Sequence, residues 1–293
     1  MKNKSVLILA AFLAAGLTGC TVNQTQPEQE PDSEVTTEIA EDTESVSEES
    51  SSETQEEKTE AAESTEQEES TESRVTISYE TLQDDRTLAD GTVIVSASYQ
   101  KPTVTVEGNE AATAAIKQEF DSDEEAFNIR VDEIEAEAGA YFTEGTGEEA
   151  MPYANEVNYT EKRADGRIIS FERSNYSNLG GVHGNTYVSG LNFDTQTGAR
   201  LTLDDITDDR ESFLAAAKEY VLSLCESDAY KDRLVPEYQD YLDDILQEDL
   251  WYLDEEGITF IANTYTLAAY AEGTLRFTVP YENLNGLKAE YSK

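Results

Sequence analysis

Tyr176-Ser177-Asn178-Leu179-Gly180-Gly181-Val182-His183-Gly184-Asn185 is the stretch around which the chain falls into order, and it holds the only histidine of 293 residues. Glycine reaches positive φ and admits close backbone approach without steric cost. Three glycines around His183 therefore predict a tight, specified turn. Strand patterns flank it. Arg167 to Tyr176 carries Ile168, Ile169 and Phe171, and Thr186 to Phe193 alternates through Tyr187, Val188, Leu191 and Phe193. His183 is thus expected between two adjacent antiparallel strands, largely buried or held by backbone hydrogen bonds.

Working outward, Tyr153 to Lys162 and Arg167 to Tyr176 meet at Asp165-Gly166, a type I′ hairpin signal, after a Gly145-Thr146-Gly147 loop. Val75 to Leu82 and Thr92 to Tyr99 read as strands, with an extended Lys101 to Val106 behind them. Asn109 caps a long helix in which Ile116, Phe120, Phe127, Val131, Ile134, Ala138 and Tyr141 keep one apolar stripe. Glu119, Asp123, Glu125, Asp132, Glu135 and Glu137 form its wet side.

Downstream, Asp194 to Gly198 turns into a short strand, Arg200 to Leu203. Asp208 or Asp209 caps a helix with Phe213, Ala217, Val221 and Leu224 inward, and Pro236 opens another carrying Tyr238, Tyr241, Leu242, Ile245 and Leu246. Strands near Leu250 to Leu253, Ile258 to Ala262 and Thr274 to Val279 close the chain. Strands interrupted by separate helices, without regular βαβ alternation, indicate an α+β fold. A mainly antiparallel sheet is packed with a long amphipathic helix and two further helices.

Residues 1–20 read as a lipoprotein signal peptide: Lys2 and Lys4, an apolar Val6 to Gly16, then Leu17-Thr18-Gly19-Cys20. The Cys20 thiol is the expected lipidation site, and a diacylglycerol there holds stably where one chain is marginal. Residues 21–73 hold 19 acidic residues against the single Lys58 and no aromatic. This acidic Ser/Thr/Glu-rich composition predicts a disordered tether. Residues 74–293 form the folded part, with subdomains 74–150 and 151–293 as a further division.

That part keeps 44 acidic and 17 basic residues, a formal charge of −27. Such an excess repels nucleic acid and anionic lipid and steers cationic partners inward. The membrane is then met only through the anchor. The expected location is the outer face of the bacterial cytoplasmic membrane, extending into the cell wall.

Gly180-Gly181-Val182-His183-Gly184-Asn185, Asn192-Phe193-Asp194, Thr197-Gly198 and Leu201-Thr202-Leu203-Asp204-Asp205-Ile206 together resemble the outer domain of the RsiV family of lysozyme-sensing anti-sigma factors. Related domains occur beside deacetylases of the PdaC type. Trp251-Tyr252-Leu253, Gly257-Ile258, Phe260, Ala268-Ala269-Tyr270-Ala271, Gly273 and Phe277-Thr278-Val279-Pro280-Tyr281 resemble that family's closing signature, with Ala269 where the family has proline. The likeness runs from about Ile77 to Leu284. It implies a non-catalytic recognition domain whose ligand is a cationic protein such as lysozyme, or cell-wall glycan (peptidoglycan).

Chemistry is thinly represented. A zinc site at His183 needs carboxylates from afar, since no second histidine exists, and metal-dependent deacetylation needs two histidines. Ser177 and Ser189 lie near without a nucleophile elbow. Asp204-Asp205, Asp208-Asp209 and Asp254-Glu255-Glu256 lack the EF-hand spacing and read as caps and turns. No catalytic residue, metal or cofactor is therefore expected. Gly180, Gly181, His183, Gly184 and Asn185 read as a fold-signature turn whose imidazole bonds backbone groups. Cys225 reads as a small buried apolar residue, and Tyr230, Tyr238 and Tyr265 as exposed anchors. Two other readings stay open: a cell-wall-directed hydrolase using His183, and an envelope scaffold without a small ligand.

Overall fold

β5 (Ile168–Asn178) and β6 (Asn185–Asp194), the strands on either side of the glycine turn, pair antiparallel from Ile168↔Asp194 to Ser177↔Asn185. The computed structural model describes residues 74–143 and 151–292. The signal peptide with Cys20, the tether and the Gly145-Thr146-Gly147 loop lie outside the described residues.

β4 (Tyr153–Ala164) extends the pair as a hairpin with β5. Its turn is not type I′, because that turn needs φ > 0 at both central residues and neither Asp165 nor Gly166 has it. The Asp165 carboxylate instead accepts the backbone N–H groups of Arg167 and Ile168, at 2.7 and 2.8 Å, and braces a wider loop.

β3 (Val93–Val106) adds to β4 in parallel, and β1 (Val75–Gln83) and the short β2 (Arg86–Thr87) pair antiparallel with β3. The resulting six-stranded sheet runs β1-β3-β4-β5-β6, with β2 beside β3. The two segments expected on either side of Gln100 are one strand. Pro102 is tolerated because β4 pairs β3 only from Val95 to Tyr99, leaving a single neighbour at the proline.

The β3–β4 crossover is α1 (Glu110–Thr143), started by Asn109, whose side-chain oxygen accepts the Ala112 N–H at 3.1 Å. Its stripe buries Ile116, Phe120, Phe127, Val131, Ile134 and Ala138 against one face of the sheet. Phe120 meets Tyr159 and Phe171 edge-on, with centroids 5.3 and 5.5 Å apart. Tyr141 ends the stripe outside the core, 39% exposed, against Phe142 and Tyr153. Asp123 is no solvated charge either. Its carboxylate accepts from Arg173 Nε at 3.0 Å and from the hydroxyls of Tyr159 and Tyr99, which reach it from the sheet.

The opposite face is covered by a second antiparallel sheet of β7 (Trp251–Leu253), β8 (Gly257–Ala262) and β9 (Leu275–Pro280). Its far side carries Trp251, Phe260 and Phe277 and packs on α3 (Arg210–Cys225) and α4 (Leu242–Ile245). The layers therefore run helix, large sheet, small sheet, helices, the α+β arrangement expected.

Three local expectations change. Arg200 makes one bridge to Phe193, after which the chain enters the single-turn α2 (Leu203–Ile206), capped by Thr202 and Asp205 in a capping box. The helix after Pro236 is a 3₁₀ turn, Tyr238–Tyr241, followed by the four residues of α4, and Tyr241 is exposed. Leu224 is only partly buried, because Cys225 takes the inward position at the end of α3.

The junction of the two sheets is unusual in being close and polar. A Cβ on Gly190 of β6 would lie 1.7 Å from the Trp251 carbonyl oxygen, so the backbones meet only because that side chain is absent. Asn192 accepts from Ser170 Oγ (2.7 Å) and Leu253 N (3.2 Å) and donates to the Trp251 carbonyl (3.1 Å). Asn263 closes a matching pair with the N–H and C=O of Val188, at 2.7 and 2.8 Å. Two amides thus satisfy backbone groups along the junction, beside one direct bond from the Gly190 N–H to the Asp249 carbonyl at 2.9 Å.

Candidate functional site

In the turn between β5 and β6, Gly180 has φ of 78° and a Cβ there would lie 2.7 Å from the Tyr153 ring. A Cβ on Gly184 would fall 2.3 Å from the Tyr176 ring, whereas the nearest atom to one on Gly181 is 3.6 Å away. Aromatic rings of β4 and β5 therefore demand glycine at 180 and 184 but not at 181. Asn185 opens β6 and accepts from Thr264 Oγ1 at 3.1 Å.

Gly184, not His183, is the residue tucked inward. Its carbonyl oxygen collects the Tyr270 hydroxyl at 2.6 Å and His183 Nδ1 at 2.9 Å. A carbonyl only accepts, so Nδ1 is the donor in this contact. The imidazole lies exposed over the Tyr270 ring, with centroids 3.9 Å apart and planes 25° from parallel. The backbone bond between antiparallel strands is as expected. The ring folds back over Tyr270 instead of entering the core, so of the two alternatives expected it is the backbone bond that holds it.

Tyr265 stands next in this row, its ring centroid 5.7 Å from that of Tyr270. It is 65% exposed and has φ of 70°, the one non-glycine residue with positive φ among the described residues. For a bulky side chain that conformation costs about 1–3 kcal/mol and persists only where the surroundings impose it. Of the other two tyrosines expected as anchors, Tyr230 packs at 4.7 Å from Phe277 and donates to the Arg276 carbonyl, and Tyr238 is partly buried.

Beside the turn, a cleft of about 520 Å³ opens between β5 and β6 on one side and the Thr264–Arg276 segment on the other. At its base Glu172 and Arg276 form a two-pronged pair, Nε–Oε2 2.6 Å and Nη2–Oε1 2.8 Å, with Lys162 3.5 Å from the same carboxylate. Burial pushes the Glu172 carboxyl up, but the Arg276 bonds and charge, with Lys162, outweigh it and hold it below the usual range. Nearby, burial pushes the Tyr252 hydroxyl up to about 12.

Among the described residues no group of three or more His, Cys, Asp or Glu side chains is placed to hold a metal. Burial pushes the Cys225 thiol up to about 11, which removes the thiolate needed for nucleophilic work. Asp205, Asp209 and Asp254 serve as caps or turn braces.

The turn and the cleft are built from two separate parts of the chain. Each part resembles a known family. Residues 88–186, which contribute His183 and Gly184, match the family described as "Deacetylase PdaC". Residues 204–282, which contribute Tyr265, Tyr270 and Arg276, match the family described as "Protein of unknown function (DUF3298)". The architecture is similar to the crystal structure of a DUF3298 family member from Bacteroides fragilis NCTC 9343. The two are 16% identical with a TM-score of 0.58, over 75% of this chain and 96% of that one. A second DUF3298 family structure, from Pseudomonas aeruginosa PAO1, is 15% identical with a TM-score of 0.47 over the same shares. No curated protein matches the chain.

In sequence, Gly184 and Tyr270 lie in two separate motifs. They touch across 86 positions, and no local pattern encodes that contact. Glu172 and Arg276, 104 positions apart, were missed altogether. The one local signal was a charged residue inside each of two otherwise strand-like runs.

Proposed function

We propose that the chain is a surface lipoprotein, anchored through Cys20 and a tether, whose folded part recognises a cationic protein without transforming it. The RsiV-like resemblance makes a lysozyme the ligand to try first. One observation carries this reading. Of the 17 basic residues in the folded part, 14 are consumed in internal ion pairs among the described residues, from Arg86 to Arg276. The outward field is therefore that of surplus carboxylates, and a basic partner is drawn in by it.

The stretch matching the deacetylase family holds a single histidine, which supports recognition over hydrolysis. A soluble Arg74-to-Lys293 fragment should retain lysozyme at about 50 mM salt and release it as ionic strength rises. Another protein of similar positive charge must be retained less. Equal retention of both would reduce the reading to unspecific charge. In cells, palmitate label should enter the intact chain and be lost in Cys20→Ser.

A further inference from the structure

The cleft beside the glycine turn carries its own chemistry, and that chemistry differs from the rest of the surface. In a folded part of formal charge −27, the one carboxylate lining the cleft, Glu172, is already matched by Arg276 and Lys162. A cation entering it meets no free carboxylate, and an anion meets an arginine whose fork is taken. What remains on offer is uncharged. The hydroxyls of Ser174, Thr186 and Thr274 line the cleft and make no hydrogen bond among the described residues.

The aromatic side is equally specific. Tyr270 lines the cleft and is fixed at both ends of its freedom, its hydroxyl on the Gly184 carbonyl and its ring under His183. Tyr265 extends that row outward in a backbone conformation that a tyrosine adopts only under constraint. Rigid, half-wet tyrosines beside free hydroxyls suit a ligand with both an apolar face and many polar edges. A pyranose ring has that character: C–H groups on its faces and hydroxyls around its rim. The volume, about 520 Å³, lies within the ordinary range for a small-molecule site.

We propose that this cleft is a saccharide-binding subsite for an uncharged pyranose chain, with Tyr270 as its aromatic wall, the exposed Tyr265 beside it as the stacking platform, and Ser174, Thr186 and Thr274 as hydrogen-bonding partners. The proposal rests on the recognition reading only in that the ligand is bound and not transformed. The two readings differ in what salt does to them. Protein capture depends on surface charge and falls with salt, whereas sugar binding here involves no unmatched charge.

The test uses the full chain and three neutral probes, chitotetraose, cellotetraose and maltotetraose, followed by saturation-transfer NMR and calorimetry. At least one should bind saturably, with affinity changed less than about twofold between roughly 50 and 500 mM salt. Tyr265→Gly should weaken it about tenfold or more. Glycine also relieves the positive φ, so the variant should melt no lower than the parent, which separates lost binding from lost fold. Tyr241→Ala, at an exposed tyrosine of the 3₁₀ turn before α4 with no ring contact to Tyr270, should leave binding unchanged. Absence of saturable binding by all three probes would overturn the proposal, as would equal binding by Tyr265→Gly or loss of binding with salt. Failure of lysozyme capture alone would leave it standing.

Discussion

Gly180, Gly181 and Gly184 look alike in sequence and differ in what they do. Gly184 sits under the Tyr176 ring, where any side chain collides, whereas a Cβ on Gly181 would make only an ordinary 3.6 Å contact with the His183 carbonyl oxygen. Gly184→Ala should therefore destabilise the fold by about 1–3 kcal/mol, the cost of forcing a group into packed space, while Gly181→Ala should stay within about 0.5 kcal/mol. Urea melts of the two variants check this, and equal losses would show that the Tyr176 ring moves aside freely. The residue types of the turn were legible in sequence because positive φ and close approach select glycine. The side on which His183 comes to rest was not, since it depends on Tyr270, which arrives from another part of the chain.

At the scale of elements, strand and helix positions followed from apolar periodicity: β1, β6, β8 and the buried stripe of α1 lie where the patterns put them. The pattern failed where side-chain bonds override it. Asp123 has the spacing of a wet helix face, yet Arg173 and two tyrosines reach it from the sheet. The segment after Pro236 has helical spacing but breaks into a 3₁₀ turn and one α turn. Nor did any periodicity announce that Asn192 and Asn263 would join two sheets, since an asparagine in a strand carries no signal of its partner. Asn263→Ala leaves the buried N–H and C=O of Val188 unpaired. It should cost about 2–4 kcal/mol in urea unfolding, and a loss below about 0.5 kcal/mol would show that the junction re-forms without it.

At the scale of the whole molecule, acid should act through the same junction. Glu172 titrates lower in the folded chain than in the unfolded one, so its pairing stabilises the fold above the unfolded carboxyl value near 4.3. That contribution is lost as pH falls through the lowered folded value. Asp165, also held low despite its burial, by the Arg167 and Ile168 N–H groups and Arg163, acts in the same direction. Thermal melts should fall steeply below about pH 4.5, and Glu172→Gln should start lower at neutral pH and lose less on acidification. An unchanged acid profile in that variant would remove Glu172 as a contributor. A last consequence concerns mechanics. β1 is an edge strand held by nine registered pairs to β3. Val75 sits opposite Val106, at the end of that ladder away from Val95–Tyr99, where β3 passes its load to β4. A pull on the chain at Arg74 therefore loads the rungs in parallel, in shear, so the ladder yields all at once instead of unzipping rung by rung.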